Sequence, residues 1–171
     1  MQWVIILMLG ALTLFVFYQD YKTRSVIWIF FPCILLTGIW YTLYYTDSLK
    51  LLFVNTGINI GFIILQFCFL KLLFGFRKIV NKKIGSGDIF FVVCCCTFFS
   101  PANFLLFYVL SLLFSLCVHF SLGLLTKNYL AQTVPLAGLQ CVFLFLFIST
   151  SILSDNNMAY DEWLTSVLIY G

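Results

Sequence analysis

The stretch Ile84-Gly85-Ser86-Gly87-Asp88-Ile89-Phe90-Phe91 joins a basic run, Arg77, Lys78, Lys82 and Lys83, to an apolar segment that continues as Val92-Val93. A carboxylate therefore stands where a charged strip meets a membrane-grade segment, with a glycine on either side of Ser86. Glycine lets a second backbone or a substrate come close and takes up strained angles. A carboxylate at membrane depth is costly, and its default reading is functional. The plainer reading is that Asp88 N-caps the following helix and that Gly85 and Gly87 end the loop.

Composition sets the class. The 171 residues are 63% hydrophobic and 9% charged, with a mean hydropathy of +1.10, whereas a soluble domain is about half apolar and a quarter charged. So few charges cannot keep a surface wet. The expected architecture is an all-α polytopic membrane bundle of about six transmembrane helices. It forms one integral-membrane domain over 1–171, with no separate soluble domain and no internal repeat. The 21 phenylalanines suit lipid-facing surfaces, and Trp and Tyr suit interfacial anchors. The basic clusters flank apolar spans, so they read as topology signals or lipid-headgroup contacts and not as a nucleic-acid surface. The seven cysteines lie in apolar spans with no paired C-x-x-C spacing, so they read as packing residues. No metal or cofactor is called for.

The apolar pattern predicts spans over Trp3–Tyr18, Val26–Tyr45, Leu51–Phe74, Ile89–Phe99, Phe104–Leu125 and Tyr129–Leu153. The first lacks a basic leader and a cleavage site, and reads as a retained helix. Asn55 and Asn59 share one face of the third, which should point at protein and not at lipid. Gly57 and Gly61 form a G-x-x-x-G pattern that suits close helix packing or a homodimer. His119 in the fifth span is either a proton relay or a packed, hydrogen-bonded residue. The tail from Ser154 is mildly amphipathic and is expected to lie on the surface.

Seven of the nine lysines and arginines fall in or beside three loops: Lys22/Arg24, Arg77 to Lys83, and Lys127. The positive-inside rule places those loops in the cytoplasm and both termini outside. Asp20 and Asp88 then lie at the inner face, and the other four acids, Asp47, Asp155, Asp161 and Glu162, at the outer one. Two close carboxylates in a low-dielectric site do not both ionise easily and titrate as a unit. One can act as base on water while the other polarises or protonates an amide.

Gly85-Ser86-Gly87-Asp88 matches the G-x-G-D motif of membrane aspartyl proteases. Asp20-Tyr21-Lys22-Thr23-Arg24-Ser25-Val26 resembles the first aspartate segment of type IV prepilin and archaeal preflagellin peptidases. Val134-Pro135-Leu136-Ala137 is similar to that family's late apolar-Pro-x-Ala segment. The resemblance implies an intramembrane aspartic endopeptidase of the inner membrane, with Asp20 and Asp88 catalytic and Gly85, Gly87, Arg24 and Pro135 in support. The implied substrate is a prepilin-like membrane protein, cut beside its basic leader at the cytoplasmic face. Ile27-Trp28 stand where the family commonly has Pro-Asn. The Cys-rich cytoplasmic loop of the large members is absent from this sequence, which argues against N-methyltransferase activity. Two other readings compete: a proton-coupled small transporter, and an inactive paralogue serving secretion or pilus assembly. A transporter's ionisable groups belong near the bilayer midplane between repeats, which these two aspartates do not fit.

Overall fold

The computed structural model describes residues 2–23, 26–74, 86–125, 136–154 and 156–161. These form six helices: α1 (Gln2–Thr23), α2 (Phe30–Thr46), α3 (Leu49–Phe74), α4 (Ser86–Cys95), α5 (Pro101–Leu125) and α6 (Leu136–Leu153). Four of them, α1, α3, α5 and α6, are long and apolar enough to cross a membrane. At 17 and 10 residues, α2 and α4 fall short of the ~20 needed to span a ~30 Å hydrocarbon core.

The all-α expectation holds, and the boundaries shift in ways that matter. α1 runs on to Thr23, so Asp20 lies within its last turn and not beyond its end. The second helix starts at Phe30, four residues later than expected, leaving residues 26–29 outside any helix. α4 starts at Ser86, which puts Gly87 and Asp88 inside its first turn. The basic loop 77–83, Lys127 and the end of the tail lie outside the described residues.

α1 packs chiefly against α6, and α5 covers another side of α6; α4 sits between α2 and α6, and α3 touches α2 and α5. α1 and α6 are antiparallel, since Gly10 meets Phe145 while Asp20 meets Gly138. The core between α5 and α6 is aromatic. Phe99 stacks on Phe107 at 4.8 Å, and Phe143 and Phe147 pack against the same ring.

The short α4 leaves its C-terminal carbonyls deep in apolar surroundings, where each needs a donor. Asn59 Nδ2 donates to the carbonyls of Cys96 at 3.1 Å and Phe99 at 2.9 Å. Thr42 Oγ1 donates to that of Thr97 at 2.6 Å. Gly38 makes room for this turn, because a Cβ there would fall 2.1 Å from Thr97 Oγ1 and 2.6 Å from the Phe98 ring. The inward face expected of Asn55 and Asn59 is thus occupied by protein. Gly57 and Gly61 lie on the exposed face of α3 with nothing within 4 Å of an added Cβ.

Part of the tail turns inward and is not held on the surface. Residues 156–161 fold across the end of the bundle away from Asp20, with Met158 and Ala159 buried. Their backbone carbonyls are gripped from below: Asn55 donates to Ala159 at 3.0 Å, and Asn103 to Met158 at 2.9 Å and Tyr160 at 2.8 Å. Ser100 N donates to Met158 O at 2.9 Å, and the Ser100 hydroxyl to Asp161.

Candidate active site

α6 begins at Leu136, so the amides of Ala137 and Gly138 belong to its first turn and have no acceptor within the helix. Both are satisfied by carboxylates from other helices. Gly138 N donates to Asp20 Oδ2 at 2.8 Å, and Ala137 N donates to Asp88 Oδ1 at 3.0 Å. Consecutive Cα atoms are about 3.8 Å apart, so this crossbar holds the two aspartates side by side. They come from α1 and α4, 68 positions apart in sequence (88 minus 20).

The electrostatics suit carboxylates. Charge-assisted bonds from backbone N–H groups are among the stronger hydrogen bonds, and the start of a helix carries partial positive charge. Asp20 is 7% exposed and Asp88 half-buried, so the site is nearly dry on the α1 side and opens toward α4. Asp88 therefore reaches across to α6, which goes beyond the plain capping of its own helix.

Gly138 is required by this approach. A Cβ there would stand 3.1 Å from Asp20 Oδ2, 3.2 Å from Asp20 Cβ and 3.3 Å from Phe17 Cα. The last of these is backbone, which cannot swing away. Gly87 is under no such constraint, since an added Cβ would meet only the Phe31 ring at 3.7 Å. Gly85, Arg24 and Pro135, expected in supporting roles, lie outside the described residues.

Around the pair the structure adds Gln19, which the sequence pattern did not single out, and gives Trp28 and Lys22 their surroundings. Gln19 Oε1 accepts from Ile27 N at 3.2 Å, which ties the non-helical segment 26–29 to α1 beside Asp20. Trp28 lies over Phe90 at 5.7 Å, and Phe31 packs against the same ring at 6.1 Å. These rings pack α4 against the α2 side. Lys22 lies 5.7 Å over the exposed Tyr18 ring, on the outer side of α1. The signal for Gly138 was present in the Pro-x-Ala-Gly run. The use of two backbone amides carries no side-chain signature.

No group of three or more metal-ligating side chains occurs among the described residues. What the arrangement supplies is a pair of carboxylates on adjacent backbone donors. Comparison with protein-family models, curated proteins and solved structures found no match.

Proposed function

We propose that the chain is an intramembrane aspartic endopeptidase. It removes the basic leader of a prepilin-like protein at the cytoplasmic face of the inner membrane. The observation that carries this reading is the pairing of Asp20 and Asp88 on the consecutive amides of Ala137 and Gly138. The resemblance of the three segments around Asp20, Asp88 and Pro135 to prepilin peptidases supports the same choice of substrate.

The chemistry needs one proton shared by two carboxylates. One aspartate takes a proton from water as the water oxygen bonds to the scissile carbonyl carbon. The other gives its proton to the carbonyl oxygen, forming a gem-diol. Collapse of the gem-diol breaks the C–N bond. The first aspartate hands its proton to the leaving nitrogen, and the second regains one from a gem-diol hydroxyl. The pair ends as it began. The two α6 amides fix both carboxylates before substrate arrives, so little reorganisation is needed during the reaction.

The topology fits such a substrate. With Lys22 and the 77–83 loop in the cytoplasm, the pair sits at the inner rim. There a basic leader meets its apolar helix. Both termini then lie outside, which counts the short α2 and α4, the latter lengthened by its buried turn, as crossings within the bundle beside the four long helices.

The test is cleavage of a co-expressed prepilin-like protein. Asp20→Asn and Asp88→Asn are each expected to abolish cleavage while the protein remains in the membrane at wild-type level. Retention of cleavage by either variant would refute the dyad.

A further inference from the structure

On the side of α6 that faces α5, a polar cluster lies inside the apolar bundle. Gln140 is 1% exposed, Ser111 0% and Ser115 1%. Gln140 Nε2 donates to Ser111 Oγ at 3.4 Å. Ser111 Oγ in turn gives its only hydrogen to the Tyr108 carbonyl at 2.9 Å, and Ser115 Oγ donates to the Ser111 carbonyl at 2.8 Å. Gln140 Oε1 is buried with no hydrogen-bond partner.

Reversing the amide does not cure this. Oε1 could then accept from the rotatable Ser111 hydroxyl, but Nε2 would be left buried without an acceptor in its place. A buried carbonyl without a donor is destabilising, and a glutamine is an unfavourable choice for a fully buried position in an apolar helix. In either orientation one end of the amide lacks a partner inside the apolar core. Water, which both donates and accepts, is a molecule small enough to supply it, and the serine hydroxyls offer further lone pairs to an internal water.

The position of Gln140 gives this site a use. Ala137, one helical turn earlier on α6, donates to Asp88. Helix side chains lean toward the N-terminus, so the Gln140 amide leans toward the dyad end. We infer that Gln140, with Ser111 and Ser115, holds an internal water between α5 and α6, and that this site supplies the aspartate pair with water. The second half rests on the peptidase reading and makes Gln140 a positioning residue. The first half stands without it.

Radiolytic hydroxyl labelling of the purified full chain in lipid nanodiscs, read by mass spectrometry, tests the water site. Labels form beside bound water even where bulk solvent does not reach. Leu144, fully buried and one turn from Gln140, is expected to be labelled in the wild type and to lose most of that labelling in Gln140→Leu. Gln140→Met serves if the leucine variant fails to fold. In the cleavage assay the same variant is expected to lower kcat on the order of 10-fold to 100-fold with KM unchanged, while thermal stability is kept or raised. Wild-type protein unlabelled at Leu144, or labelling that persists in the variant, overturns the water site. Labelling lost with kcat unchanged overturns its role in the reaction. A wild-type chain that cleaves no prepilin-like protein, yet shows Gln140-dependent labelling, overturns the peptidase reading and leaves the water site standing.

Discussion

Gly138 does two things at one position. Its amide donates to Asp20, and its missing side chain lets α1 come close enough to receive that bond. Gly138→Ala leaves the amide in place and pushes Asp20 and the Phe17 backbone outward by a few tenths of an ångström. Displacements of that kind cost up to about 100-fold in rate when they fall on reacting groups. The expected outcome is a fall in kcat on that order, measured on reconstituted protein, with expression little changed. Gly87→Ala, by contrast, brings only an ordinary contact with Phe31 and is expected to retain activity within a few-fold. The motif quoted from sequence made the two flanking glycines look alike in importance. The structure shifts the steric demand to a glycine 50 residues after Asp88 (138 minus 88). Residue type alone does not reveal it, because the constraint is set by what packs opposite.

Among the elements, α4 is the one that cannot be understood alone. It is 10 residues long, about 15 Å, and it ends inside the bundle. Its position along its own axis is fixed at both ends: by Asp88 on α6, and by Asn59 and Thr42 holding the carbonyls after Cys95. Asn59→Ala removes the donor to two buried carbonyls. Each such loss costs about 1–3 kcal/mol in water-soluble proteins, and less where lipid-embedded partners can rearrange. A destabilisation of about 1–3 kcal/mol is therefore expected by steric-trap or thermal unfolding in micelles. Gly38→Leu is expected to be worse, since its side chain would occupy the space of Thr97 and Phe98. Much of this was legible. Asn55 and Asn59, four apart in an apolar run, have no use on a lipid face, and Ser100-Pro101 signals an early stop. The exact end of α4 was not legible, because Cys96-Thr97-Phe98-Phe99 is as apolar as what precedes it. A tight turn with the Thr97 hydroxyl on the Cys94 carbonyl closes the helix, and donors from α2 and α3 hold the carbonyls beyond it.

At the scale of the whole molecule, the two ends of the bundle are built differently. One end gathers Asp20 and Asp88 at the start of α6. The other is closed by residues 156–161, whose backbone is held by Asn55, Asn103 and Ser100. The mildly amphipathic tail from Ser154 was expected on the surface. What pulls Met158 and Ala159 inward is a set of side-chain amides 55 to 104 residues away, and no local pattern reports that. Composition made the helical class and the membrane-grade apolarity of the chain plain. The common end for both aspartates followed from counting spans and cations. The proposed orientation is checked by thiol labelling of intact cells. A cysteine replacing Asn81, in the basic loop, is expected to react only after permeabilisation, and one replacing Asp47 to react from outside.

The central claim is that the side chains of residues 20 and 88 stand side by side. The most direct measurement is intramolecular cross-linking of the Asp20→Cys/Asp88→Cys double variant, with the native cysteines replaced, by a short bis-maleimide and mass spectrometry of the joined peptides. The account predicts efficient joining of 20 to 88 and none of 20 to 47 in the matching Asp20→Cys/Asp47→Cys control. Failure to join 20 to 88 in folded protein, or equal joining of both pairs, would contradict it.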